Sequence, residues 1–314
     1  MPGNVEYTGM REVRKPDRHD VEAALARVRP HLAPTPLVES DGFGLKLESL
    51  QPTGSFKVRG AVAALTALDP SNPVVTASAG NHGLALAWAA ERLGFDATVV
   101  VAETASPAKI AGLRRFPAAL VVHGADYDEA ERHALSLPGR YVSPYNDPDV
   151  IAGAGTIASE LSAAETIVVP IGGGGLASGI ALAGGARVVG VVPEAFPAMR
   201  AALDAGSVVE IEGEATVADG LHGNIEPGGV TFDLVRDHVD DVVSVSEHEI
   251  EEAMRFLAAE HGLVTEGAGA AAVVALLSGA TWARGSTVAV VTGRNITLER
   301  FGDVLGDGAG TGGG

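Results

Sequence analysis

A chain of 314 residues with 40 acidic against 22 Lys and Arg side chains carries a net charge of −18, which argues against nucleic acid and anionic membrane surfaces, since both would repel it. It contains no cysteine and no apolar run long enough to cross a bilayer, so disulfides, thiolate metal sites and membrane spans are not expected. Its 46% hydrophobic content suits a packed core, and with only 4% aromatic residues the small side chains must do much of the filling.

In chain order, residues 1–17 read as a flexible arm. The polar beginning is unlike a signal peptide, so a cytoplasmic protein is expected. Residues 20–28 have helical period, with Asp20 as the candidate N-cap. Residues 34–37 form an extended connector, since a residue before proline avoids the α region, and residues 44–47 form a short strand. In the stretch 51–60, Pro52 and Gly54 punctuate a turn, Ser55 takes the position of an N-cap, and the Ala/Val/Leu-rich run 61–68 follows as a helix. Strands are then expected at 73–77, 97–101, 119–123, 166–171, 187–192, 242–245 and 287–292. Helices are expected at 82–93, 106–116, 127–135, 156–163 and 176–183. Apolar strands separated by helices indicate parallel sheets buried on both faces, an α/β fold. No short repeat occurs, and the Gly-rich tail, 306–314, reads as disordered.

Lysine is scarce: Lys15, Lys46, Lys57 and Lys109 are the whole set. Lys57 falls in the first turn of its expected helix, where the dipole's positive end disfavours an ammonium and favours the nucleophilic amine that Schiff-base chemistry needs. A solvated lysine at a helix start is the plain alternative. Scarcity, and a frame of small and apolar neighbours, set Lys57 apart from it.

Ser78-Ala79-Gly80-Asn81-His82-Gly83 lies between a strand and a helix, where open α/β sheets bind ligands. Backbone N–H groups there can hold a carboxylate, and the Asn81 amide can hydrogen-bond a ring oxygen; as mere structure, Ser78 and Asn81 are caps and His82 a loop histidine. Gly172, Gly173, Gly174 and Gly175, between a strand and a helix, fit a phosphate cradle. Alone they serve a dinucleotide equally well, since Gly172, Gly174 and Ala177 match G-x-G-x-x-A and Glu194 closes the next strand. Consecutive glycines past the middle of the chain, together with the Lys57 stretch, favour a compact phosphate. No G-x-x-x-x-G-K-[ST] occurs, and the His, Asp and Glu of 123–133 suit an exposed helix better than a metal site.

Several blocks carry a resemblance: Leu45-Lys46-Leu47-Glu48-Ser49-Leu50 with the Lys57 stretch, 76–83, Asp147-Pro148-Asp149-Val150-Ile151-Ala152-Gly153, Gly172-Gly173-Gly174-Gly175-Leu176, Asp219-Gly220-Leu221, Glu266-Gly267-Ala268-Gly269 and Thr292-Gly293-Arg294-Asn295. In this order they resemble the threonine/serine dehydratase and serine racemase family, pyridoxal-phosphate enzymes of the tryptophan synthase β-like fold (fold type II), over nearly the whole chain. The resemblance implies two open parallel-sheet α/β domains with the cofactor between them: a large one from residues 1–50 and 146–305, and a small one from 51–145. It also implies a homodimer.

For the site, the resemblance makes Lys57 the Schiff-base and proton-transfer lysine. Phe56 and Gly220 flank the cofactor ring, Asn81 binds its oxygen and Thr292 its nitrogen, and Gly172 to Gly175 bind its phosphate. Glu266 stands beside it, while Ser78, Ala79, Asn81 and His82 orient the substrate carboxylate. Arg294 departs from the family's commoner glycine. Ala79 replaces the second hydroxyl of the racemases, and Val192 the glutamate of their divalent-metal site, so no metal is expected. The expected reaction is dehydration and deamination of L-threonine or L-serine to a 2-oxo acid and ammonia. Racemisation, β-replacement as in cysteine synthesis, cofactor binding without turnover and a nicotinamide oxidoreductase are the alternatives. The acidity and lysine scarcity suit a salt-rich cytosol. His222-Gly223-Asn224-Ile225 has no assignment.

Overall fold

The computed structural model describes residues 12–40, 42–278 and 286–307. Its helices are α1 (Arg18–Val28), α2 (Lys57–Leu65), α3 (Asn81–Leu93), α4 (Pro107–Leu113), α5 (Tyr127–Ser136), α6 (Pro148–Gly155), α7 (Gly175–Ala183), α8 (Ala198–Ala205), α9 (Val230–His238), α10 (Glu247–His261), α11 (Gly267–Leu277) and α12 (Leu298–Asp307). Its strands are β1 (Leu37–Ser40), β2 (Phe43–Lys46), β3 (Val74–Ala77), β4 (Ala97–Val101), β5 (Ala119–Val122), β6 (Arg140–Tyr141), β7 (Thr166–Pro170), β8 (Arg187–Pro193), β9 (Asp241–Val245) and β10 (Thr287–Val290).

These strands form two sheets. One has the order β1-β2-β10-β7-β8-β9 and is parallel except where β1 meets β2; the other, β5-β4-β3-β6, is parallel throughout. The period of two along a strand sorts side chains between two cores. Val168, Val191 and Ala289 point towards α10 and α11, whereas Ile167, Val169, Val188 and Val290 pack with α7 and α8. Both faces being covered, the central strands read as continuous apolar runs. The almost wholly Ala, Gly and Val helix α11 is buried along nine consecutive residues from Gly267 to Ala275. A third cluster joins α1, α2, α3 and α6 with Val74 of β3.

Several local expectations are corrected. Asp17, not Asp20, caps α1: its carboxylate accepts from the His19 and Asp20 N–H groups, while the Asp20 side chain returns to the Asp17 N–H. Such reciprocity satisfies two orphan donors at once. Arg14 pairs with Asp20 and Lys15 with Asp233, so the expected arm is anchored there, and residues 1–11 lie outside the described residues. Ser55 is not the cap of α2. Phe56 holds that position without a side-chain bond, and Ser55 is engaged in a β-bridge with Gly293. The helix expected at 156–163 is one 3-10 turn, Thr156–Glu160. Of the tail expected to be disordered, Gly306 and Asp307 belong to α12 and residues 308–314 lie outside the described residues.

Candidate active site

Loops leaving the C-terminal ends of strands in both sheets converge on one place, the usual position for ligands in parallel sheets. The turn before α2 is stitched to the end of β10 by three backbone bonds: Ser49 N–H to Val291 O at 2.9 Å, Phe56 N–H to Thr292 O at 3.0 Å and Arg294 N–H to Gly54 O at 2.9 Å. Lys57 is the first residue of α2, and its Nζ donates to the Pro144 carbonyl at 2.7 Å and lies 5.1 Å from the Phe56 ring centroid. Burial pushes the Lys57 ammonium down to about 8, against the opposing pull of Glu266. Desolvation is therefore a source of free amine here that the sequence did not reveal.

Across from it, Asn81 opens α3. Its Nδ2 donates to Glu266 Oε1 at 2.6 Å, and its Oδ1 accepts from Asn295 Nδ2 at 2.6 Å. Glu266 precedes α11 and is buried, which raises its carboxyl to about 7 despite the Asn81 hydrogen bond. The Ser78 hydroxyl accepts from the Gly80 N–H at 3.2 Å, closing the loop before α3. Ala79 belongs to the same loop and packs with the cluster of Leu84 and Leu113. The His82 side chain is buried with Nε2 3.1 Å from the Val142 carbonyl, and burial together with Lys57 lowers its pKa to about 3. That imidazole is neutral and turned into the protein, so only the backbone of His82 is available to an anion.

Gly172 to Gly175 run from the end of β7 into α7, whose first N–H groups have no intrahelical acceptor. A Cβ at Gly173 would overlap the Tyr145 ring, and Gly174 sits at φ +89°, a left-handed conformation that favours glycine. On the far side, Gly220 approaches Ala268 so closely that a Cβ would lie 3.2 Å from that methyl. Thr292 is buried and its hydroxyl donates to Ala268 O at 3.1 Å.

The fold thus brings every expected site residue to the strand ends or to loops packed on them. It also adds residues that sequence reasoning left without a role: Asn295, Pro144 and Tyr145. Asn295 stood inside a recognised block; Tyr145 had no local signal. The Ser55 hydroxyl is buried without a partner, a polar group that a ligand's oxygen or a bridging water would satisfy. A bare cradle of glycine N–H groups, a partly neutral lysine and an aromatic ring beside it fit a phosphorylated aromatic aldehyde.

A sequence profile described as pyridoxal-phosphate dependent enzyme matches residues 28–293. The L-threonine ammonia-lyase of Thermotoga maritima is 41% identical over 281 residues, covering 84% of this chain and 70% of that protein. The catabolic L-threonine dehydratase TdcB of Escherichia coli is 38% identical over 281 residues, covering 83% and 85%. Among solved structures, maize serine racemase superposes with a TM-score of 0.85 at 28% identity, covering 94% of this chain and 98% of that one. Threonine deaminase isoform 2 from Solanum lycopersicum gives 0.83 at 28% identity, covering 95% and 97%.

Proposed function

The chain belongs to the pyridoxal-phosphate dependent enzyme family, and on that premise we propose that it dehydrates and deaminates L-threonine or L-serine, giving a 2-oxo acid and ammonia. The observation that carries the reading is the half-buried Lys57 amine, lowered to about 8, at the strand ends that also present the glycine cradle. When bound, pyridoxal phosphate supplies an electron sink for the pair left at the substrate's α-carbon.

Lys57 would hold the cofactor through Nζ, and the same amine, when free, would take the substrate's α-proton. Gly172 to Gly175 would hold the phosphate through their N–H groups, and Phe56 and Gly220 would border the ring. Asn81 would donate to the ring oxygen. Thr292 would have to release the Ala268 carbonyl before it could donate to the ring nitrogen, because its hydroxyl has one proton. A hydroxyl does not keep that nitrogen protonated as a carboxylate would, which favours elimination over a long-lived carbanion. The 78–82 loop offers backbone N–H groups to the substrate carboxylate. The Ala79 methyl has no proton to return to the α-carbon, and this disfavours racemisation. The reading extends to a small body of residues 51–145 against a large one of 1–50 and 146–305, a homodimer, and a salt-rich cytoplasm as the working environment.

Keto-acid release from threonine and serine by the cofactor-loaded protein tests the activity, with chiral analysis of residual serine and added sulfide testing racemisation and β-replacement. Lys57→Ala is expected to lose keto-acid formation and covalent cofactor together. Borohydride reduction that labels another residue, or a yellow protein that releases no keto acid from either substrate, overturns the reading.

A further inference from the structure

We infer that Asn295 is a positioning residue that fixes the orientation of the Asn81 side-chain amide, so that one Asn81 N–H is left directed at the cofactor. The inference rests on the proposed role of Asn81 towards the cofactor ring oxygen.

Asn295 Nδ2 donates to the Thr53 carbonyl at 2.9 Å and to Asn81 Oδ1 at 2.6 Å. Both of its hydrogens are used. Rotating the amide by half a turn would set its oxygen against two other oxygens, so the orientation of Asn295 is determined by its partners. Asn81 is then determined in turn. Its oxygen accepts from Asn295, one of its two N–H bonds goes to Glu266 Oε1 at 2.6 Å, and a flipped Asn81 would place its oxygen against the carboxylate. A single N–H of Asn81 remains.

The backbone makes room for this chain of three side chains. At Gly54, φ is +77° and a Cβ would meet the Asn295 amide; at Gly293, a Cβ would overlap the Glu266 carboxylate and lie 3.3 Å from Asn81 Nδ2. Any side chain at Gly54 or Gly293 displaces one of the three. The three donors and acceptors come from different parts of the chain: Asn81 begins α3, Glu266 precedes α11 and Asn295 follows β10. The geometry therefore ties the ligand-facing amide of one sheet's loops to the loops of the other. Asn295 is solvent-exposed at the rim, so it acts through Asn81 rather than on the substrate.

The test measures pyridoxal phosphate affinity and the visible band of the holoenzyme in the wild type, Asn81→Ala, Asn295→Ala, Asn295→Asp and the Asn81→Ala/Asn295→Ala pair. The expected result is a loss of cofactor affinity of about 3- to 10-fold in Asn295→Ala, the size of one net hydrogen bond. The visible band should shift in the same direction as in Asn81→Ala, and the pair should be no worse than Asn81→Ala alone. In Asn295→Asp the carboxylate faces Asn81 Oδ1 and the loss is larger. A melting temperature of the cofactor-free Asn295 variants matching the wild type separates positioning from general damage. Wild-type affinity and band in Asn295→Ala, or additive effects in the pair, overturn the inference while leaving the proposed function standing. A wild type that takes up no cofactor, or a Lys57→Ala protein that keeps the visible band, overturns the proposed function itself and the inference with it.

Discussion

A lysine whose amine is lowered to about 8 and a carboxyl raised to about 7 stand in the same site because both are withdrawn from water, each partly held back by the other's charge. His82 shows the same physics most strongly. With its pKa lowered to about 3, the unfolded chain binds one more proton than the folded one between pH 3 and the ordinary histidine value near 6.5. Stability is therefore present above that range and falls as pH falls through it. Urea unfolding between pH 6.5 and 5 is expected to show this slope flattened by about 1 kcal/mol per pH unit in His82→Gln; an unchanged slope would place the titration elsewhere. Gly173 makes a steric prediction. A methyl there meets the Tyr145 ring, so Gly173→Ala is expected to weaken cofactor binding about tenfold or more, read by equilibrium titration of the cofactor-free protein.

Helix α2 is anchored by more than its apolar face. Two residues after Lys57, Arg59 is 1% exposed and forms a two-bond pair with the fully buried Glu48, through Nε at 2.8 Å and Nη2 at 2.8 Å. Its Nη1 reaches Glu160 Oε1 at 2.8 Å, and Lys46 closes the group by binding both Glu160 and the Thr35 carbonyl. Burial alone would lower the Arg59 pKa, but Glu48 and Glu160 outweigh it and the guanidinium is held more firmly charged. Two cations and two carboxylates balance. Removing Arg59 leaves Glu48 charged in the core, so Arg59→Met is expected to cost about 3–5 kcal/mol in urea unfolding. The pair Arg59→Met/Glu48→Met should recover part of that loss, because no unpaired charge remains. No recovery would mean that packing, not charge balance, sets the cost.

On the scale of the molecule, a net charge of −18 is a standing self-repulsion that salt screens. The melting temperature is expected to rise as potassium chloride is raised from low concentration towards 1 M; a flat or falling curve would count against a salt-rich setting. Lys109 of α4 meets Asp219 at 2.8 Å, beside Gly220 at the rim, with both side chains 44% exposed. An ion pair so wet contributes little, so Lys109→Ala should change unfolding free energy by no more than about 1 kcal/mol.

The alternation of apolar strands and helices, the glycine cradle and the odd lysine were written in local order, because each depends on residues within a few positions of one another. Strand β4 and the start of α5 fall where the apolar run and the charged helical stretch of the sequence place them. What local order could not supply were contacts made at long range. Ser55 looks like a cap until Gly293 pairs with its backbone, Asp20 looks like one until Asp17 completes the box, and Asn295 acquires a partner in Asn81 only when two sheets face each other. The charges of His82 and Glu266 were likewise undecided by sequence, and for Lys57 local order offered only the helix dipole, not the burial that lowers its ammonium. Desolvation is a property of everything packed around a group, and only the assembled fold sets it.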